Sequence, residues 1–227
     1  MSRPLRLIVF DVDGTLVDSQ TDIITAMAHA FENAAQPTPP PAAILGIVGL
    51  SLDEAMFRLA PDLPAATRAK MVNWYKDAYM DLRLKTGAAQ SSPLYPGARA
   101  ALDALSAIPE NILGVATGKS KRGLDKLLEA HDLTGFFTTL QVSDFHPSKP
   151  HPAMLHAALS ETGIDARAAV MIGDTSFDMD MAAAAGLTGI GVSWGYHPVS
   201  ALGAARHIID DFTQLPGCLH EIYEAVQ

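Results

Sequence analysis

Short apolar runs without polar alternation recur along this chain, and they limit its possible folds more than any other feature. They are LRLIVF (5–10), ILGVA (112–116), TTLQV (138–142), AAVMI (168–172) and GIGV (189–192), with HII (207–209) as a sixth candidate. Strands of this kind are buried on both faces, the situation of a parallel sheet covered by helices on both sides. The segments between the later runs, GARAALDALSA, KRGLDKLLEAH, PAMLHAALSETG and DMAAAAGL, have helical composition, and Gly163 and Gly186 stand where a helix end takes a left-handed residue. Strand–helix alternation predicts an α/β fold with a doubly wound parallel sheet, a Rossmann-like core.

The alternation fails between the first run and the second. The interval from residue 11 to residue 111 is too long for one crossover. Within it, QTDIITAMAHAFENAA is helical in period, QPTPPP breaks it, and LDEAMFRLA and ATRAKMVNWYKDAYMDLRL resume it. TGAAQSSPLYPG (86–97) reads as the return linker. The expected organisation is therefore an α/β core of residues 1–15 and 93–227, with residues 16–92 as an all-helical cap inserted after the first strand. At 227 residues and 48% hydrophobic content, the chain is long enough for a core plus such an insertion.

Charge and cysteine usage exclude some partners. A formal net charge of -9 makes a nucleic-acid backbone an unexpected partner, so any phosphate site must be built locally. The single cysteine, Cys218, permits no internal disulfide and reads as a packing residue, which fits a reducing compartment. No stretch approaches the ~20 apolar residues of a membrane span, and the N-terminal run is too short for a signal peptide. The cytoplasm is the expected location, and a monomer or homodimer the expected state.

Chemistry-bearing residues gather where the predicted strands end. Open α/β sheets bind ligands beyond the carboxyl ends of their strands, so these places should converge. After the first strand come Asp11 and Asp13, then Gly14, whose freedom allows a close turn beneath a ligand, and Thr15. Two carboxylates here can share a hard divalent cation such as Mg²⁺, and one can attack phosphorus while the other does acid–base work. After the second strand, VATGKS offers Thr117, Gly118 and Lys119, a phosphate cradle or an ordinary helix cap. Lys149, flanked by prolines in HPSKPHP, is placed to neutralise a phosphate and a nucleophilic carboxylate, whereas His146 and His151 read as loop histidines. MIGDTSFDMD then supplies Asp174 and Asp178, which share a face if the chain turns helical there. Carboxylates in such number repel unless a cation sits among them.

With these motifs in view, the chain resembles the haloacid dehalogenase superfamily, in its phosphatase branch with a helical cap. DxDGT is met by Asp11 to Thr15, the second-motif hydroxyl by Thr117, the lysine by Lys149 and GDxxxD by Gly173 to Asp178. The resemblance implies Asp11 as nucleophile and Mg²⁺ ligand, and Asp13 as acid–base group whose carbonyl also ligates the metal. It implies Gly14, Thr117, Gly118 and Lys149 around the phosphoryl group, and Asp174 and Asp178 at the metal. Asp13 argues against the dehalogenases and phosphonate-cleaving members, which lack that second acid. IVGLSLDEAM, SKPHP, GDTSFDMDMAAAAG and GVSWGYHP are most similar to the phosphoglycolate phosphatases.

The expected activity is Mg²⁺-dependent hydrolysis of a small phosphorylated metabolite through an aspartyl-phosphate on Asp11. The alternatives are a phosphosugar mutase or pyrophosphatase of the same fold, and a phosphate-binding protein without turnover. Substrate choice should lie in the cap, with Gly49, Leu50, Ser51 and Arg58 as candidates, Arg58 as a cation for a substrate carboxylate or simply a solvated helix residue. Trp74 and Tyr75 read as packing between cap helices, and the SWGYHP loop with Trp194 and Tyr196 as a border of the pocket.

Overall fold

The computed structural model describes residues 4–224. Strand β1 (Arg6–Phe10) leads by a short turn into five helices: α1 (Gln20–Asn33), α2 (Pro41–Leu45), α3 (Leu52–Leu59), α4 (Ala65–Thr86) and α5 (Ala88–Ser91). The chain then alternates through α6 (Ala98–Ser106), β2 (Asn111–Thr117), α7 (Lys121–Ala130), β3 (Thr139–Val142) and α8 (Ala153–Thr162). It ends with β4 (Ala169–Gly173), α9 (Ser176–Ala185), β5 (Thr188–Val192), β6 (His207–Ile209) and α10 (Leu215–Glu224).

All six strands pair in parallel, in the order β3-β2-β1-β4-β5-β6. Successive residues of β1 face opposite sides. Ile8 and Phe10 join a core with α6, α7 and α10 through Leu102, Leu124 and Leu219, while Leu7 and Val9 join a second with α8 and α9 through Leu155 and Met181. Burial on both faces is why the strands read as continuous apolar text. HII, the doubtful sixth run, is a real edge strand paired with β5.

The winding direction reverses at β1, which has β2 on one side and β4 on the other. Phe10 is level with Val115 and with Ile172, so Asp11, Thr117 and Asp174 leave the sheet at nearly the same height. Parallel pairing thus converts positions far apart in sequence into one edge.

The five inserted helices have a hydrophobic cluster of their own, built on Ile23, Met27, Phe31, Ile44, Met56 and Met71. Trp74 and Tyr75 pack partly buried against it, as their reading as packing residues predicted. Ser51 caps α3 by accepting the Glu54 amide, and Asp53 and Glu54 in the first turn suit the helix dipole. The return segment is more structured than expected: Gly87, at φ 86°, stops α4, and AAQS makes the short helix α5. The outgoing and returning chains run side by side, with Tyr95 N–H donating to the Leu16 carbonyl and Asp18 N–H to that of Pro93, both at 2.9 Å.

Met71 is fully buried in the helical cluster. Met71→Ala should lower unfolding stability by about 2–5 kcal/mol, read from the midpoint of a urea titration.

Candidate active site

Lys149 is the centre of the buried polar cluster. Its ammonium lies 2.8 Å from Asp11 Oδ1 and 2.6 Å from Asp178 Oδ1, and all three residues are buried. Asp178 is held by the start of α9, in a capping box where its Oδ2 accepts from the Thr175 amide (3.1 Å) and hydroxyl (2.7 Å). Asp174 precedes the helix rather than sharing its face with Asp178, and it accepts from the Thr15 hydroxyl (2.9 Å) and the Tyr196 amide (2.8 Å). Asp11, Asp174 and Asp178 each present one carboxylate oxygen within 4.8 Å of the others. Asp11 Oδ2 is buried with no hydrogen-bond partner.

Gly14 makes this approach possible. Its φ is 86°, and a Cβ there would come within 2.2 Å of Asp174 Oδ2. The close approach foreseen for this glycine is thus to a neighbouring carboxylate.

Burial is the main reason the Asp11 carboxyl is pushed up to about 7, opposed by Lys149 and reinforced by Asp178 and Asp13. Asp174 is likewise raised well above the usual carboxyl range, by burial and then by Asp11 and Asp178. Burial works against the charged form of Lys149, but the two carboxylates outweigh it and raise its pKa. One ammonium cannot neutralise three carboxylates, and the surplus negative charge is what a cation would relieve.

Asp13 has a different partner. The Lys119 ammonium donates to both its oxygens at 2.6 Å, and the Ser19 hydroxyl donates to Oδ1 at 2.5 Å. Burial raises Asp13, yet these contacts outweigh it and hold the carboxyl below its usual range. The sequence reading placed Lys119 in the VATGKS segment, a phosphate cradle or helix cap, and did not foresee its pairing with Asp13. Its position directly after the β2 end, at the same edge as Asp13, was the available signal.

A cavity of about 1030 Å³ opens over the carboxyl edge, walled by Asp11, Asp13, Thr117, Gly118 and Lys119 from the sheet side. Lys149, Asp174 and Asp178 lie buried beneath that wall. Gly49, Leu50 and Ser51 line the opposite side. A Cβ on Gly118 would meet the Leu50 carbonyl oxygen at 2.4 Å, so a bare backbone is needed where the helical section touches the sheet. Ser51 N–H donates to Ser148 Oγ at 2.8 Å across the same seam.

Other expectations fare differently. Arg58 is not part of the cavity wall: its Nε is 2.9 Å from Glu54 Oε1, and its guanidinium lies over the Phe177 ring. The cations that do line the cavity from α4 are Lys76 and Arg83. Trp194 donates its indole N–H to the Thr15 carbonyl at 3.1 Å, and the Tyr196 hydroxyl accepts from Ser19 N–H at 2.9 Å, so SWGYHP braces the DVDGT turn. His146 bonds Gln141 at 2.7 Å, and His151 Nδ1 accepts the Ala153 amide at 3.2 Å, both outside the acidic cluster. Cys218 is buried in the α10 side of the core.

Fold and site together define a class: a doubly wound α/β protein carrying a buried acid–lysine centre at its carboxyl edge, with a helical section over the opening. The description of the haloacid dehalogenase-like hydrolases fits residues 8–192, and the chain belongs to that family. It is 34% identical over 221 residues to a probable phosphatase, IndB, of Dickeya dadantii, covering 95% of this chain and 94% of that one. It is 30% identical over 225 residues to a phosphoglycolate phosphatase of Pseudomonas syringae pv. tomato, covering 94% of this chain and 80% of that protein. Among solved structures, a predicted phosphatase from Clostridium acetobutylicum superposes with a TM-score of 0.84 at 24% identity, over 96% of this chain and all of that one (100%). Among the described residues, no helix is long and apolar enough to cross a membrane.

Two predictions follow from the electrostatics of the cluster. Lys149→Met leaves two buried carboxylates without their cation and should cost about 3–5 kcal/mol of stability, measured by urea unfolding. In chelator, folded Asp11 retains its proton up to about pH 7, whereas the unfolded chain releases it near ~4. The folded state therefore binds more protons in that window, and metal-free stability should fall as pH rises through it. Unfolding midpoints at pH 5 and pH 7.5 check the sign, and Asp11→Asn should reduce the difference, the remainder coming from Asp174, whose carboxyl is raised in the same direction.

Proposed function

We propose that this protein is a cytoplasmic, Mg²⁺-dependent phosphomonoesterase acting on a small phosphorylated metabolite through an aspartyl-phosphate on Asp11. The carrying observation is the state of Asp11: one oxygen is fixed by Lys149 and the other is unpartnered, in a side chain on the cavity wall. The phosphatase names of the relatives support the reading. Residues 16–92 are proposed as a cap that supplies the far wall of the cavity.

The donor set suits a hard divalent cation. Asp11, Asp174 and Asp178 offer only oxygens, they converge, and Asp11 Oδ2 lacks any partner in the protein. Bound there, Mg²⁺ would neutralise charge on the carboxylates and on the phosphoryl oxygens.

The residues of the chain carry the remaining steps. An Asp11 oxygen bonds to phosphorus as the ester P–O bond breaks, and the departing alkoxide takes a proton from Asp13. Water then attacks the phosphoaspartate, giving its proton to Asp13 and restoring Asp11. The net change is one ester bond hydrolysed by one water. Lys149 fixes the direction of the nucleophile and opposes the build-up of negative charge, and Thr117 with the Gly118 amide faces the phosphoryl group. Lys119 holds Asp13 ionised, the form needed to accept the proton of water. In the first half, a substrate that draws Lys119 toward itself lets Asp13 carry the proton it must donate.

The test is phosphate release from a panel holding 2-phosphoglycolate, hexose phosphates, nucleoside monophosphates and pyrophosphate. Free phosphate should appear with Mg²⁺ and not with chelator, and Asp11→Asn should lower turnover at least ~10³-fold. Conversion of a hexose 1-phosphate to its 6-phosphate without free phosphate would instead make the protein a mutase.

A further inference from the structure

Arg83 is a half-buried cation to which the catalytic reading assigns no task. It projects from α4 into the cavity wall. Its Nη1 donates to the Gly123 carbonyl of α7 at 3.3 Å, which ties the helical section to the sheet core. Its Nε and Nη2 are buried and have no hydrogen-bond partner. Nε and Nη2 form one edge of the guanidinium, the fork that meets a carboxylate with two parallel hydrogen bonds.

The surroundings leave that edge free. Arg83 Cζ stands 5.0 Å from the centre of the Tyr79 ring, and the Lys119 ammonium stands 5.3 Å from the same ring. Lys119 has Asp13 as its ionic partner, whereas Arg83 forms no ion pair among the described residues. The nearby Asp22 carboxylate is engaged by the Ser91 hydroxyl. Two buried guanidinium nitrogens without an acceptor are costly unless an anion completes them, and each such unsatisfied group calls for an occupant. The cavity that holds it is the one that holds Asp11 and Asp13.

Resting on the phosphatase reading, we infer that Arg83 selects the substrate by pairing its Nε/Nη2 edge with a carboxylate on the organic part of the phosphomonoester. The substrate class is then a phosphorylated carboxylic acid. Tyr79 stacks on Tyr75 at 5.8 Å and supports the guanidinium as a flat platform. Arg83 thereby takes the task that the sequence reading offered to Arg58, which is occupied by Glu54 and Phe177. At about 1030 Å³ the cavity also has room for an acid longer than two carbons. A carboxylate near Lys119 would compete with Asp13 for that ammonium, which links recognition to the proton step.

The experiment compares kcat/KM for 2-phosphoglycolate, longer phosphorylated acids, a bisphosphate and ethyl phosphate, which has no second anionic group, in the wild-type protein and in Arg83→Gln and Arg83→Lys. The wild type should prefer a phosphorylated acid over ethyl phosphate, and Arg83→Gln should reduce that ratio by about 10-fold or more. The loss should appear mainly in KM, and Arg83→Lys should recover part of it. A ratio unmoved by Arg83→Gln would overturn the assignment, as would equal losses on both substrates, the mark of a structural role. A wild-type preference for the bisphosphate would also overturn it and make the fork a phosphate reader. Binding to the Asp11→Asn protein, followed calorimetrically with 2-phosphoglycolate and ethyl phosphate, separates the two readings. Arg83-dependent binding of the acid without any turnover in the wild type would sink the phosphatase reading and leave the fork standing.

Discussion

The contact between Lys149 and the carboxylates of Asp11 and Asp178 is the constraint around which the site is built. A lysine ammonium removed from water is expensive, and so is each carboxylate; placed together they become tolerable. The arrangement has further requirements. Asp178 needs a helix start to orient it, which Thr175 provides through the capping box. Asp174 needs donors, which come from Thr15 and from the Tyr196 amide in a loop beyond β5. The DVDGT turn is braced in turn by Trp194. Segments separated by most of the chain are thus fixed to one another by the need to satisfy a few buried oxygens.

That satisfaction is incomplete by design of the charge count. Three carboxylates meet one ammonium, and one Asp11 oxygen has nothing to bond. A site in this condition is poised for a cation and an anion together, which is the combination that a metal and a phosphate ester present. Asp13 lies outside this cluster, paired with Lys119, and its pKa moves down while that of Asp11 moves up. Two aspartates two residues apart are thereby pushed toward different chemical behaviour, Asp11 by burial that Lys149 only partly opposes and Asp13 by Lys119 and Ser19, which outweigh its burial.

Much of the sheet and of the acid–lysine centre was legible in the sequence, because buried parallel strands and strand-end polar residues leave local signatures. The runs at 5–10, 112–116 and 168–172 lie within a residue of β1, β2 and β4, and Asp11, Thr117, Lys149 and Asp174 do gather at one edge. The far wall was less legible. Arg58 and Arg83 are both basic residues on helices, and nothing local distinguishes the one that meets Glu54 and Phe177 from the one left open over Tyr79. The pairing of Lys119 with Asp13 was missed for a similar reason: a lysine after a strand end is ordinary until Asp13 is seen beside it.

The sequence by itself determined the sheet, its helical layers and the acids that end its strands. Period, burial and turn chemistry are properties of neighbouring residues, and neighbouring residues are what a sequence displays. Only the tertiary structure decided the partners: that Lys149 reaches Asp178 as well as Asp11, that Lys119 takes Asp13, that Gly118 must stay bare beneath Leu50, and that Arg83 keeps a free edge. Charge pairing acts through space over a few ångströms, and the distances that govern it exist only once the strands are paired and the loops at their carboxyl edge have closed on one another.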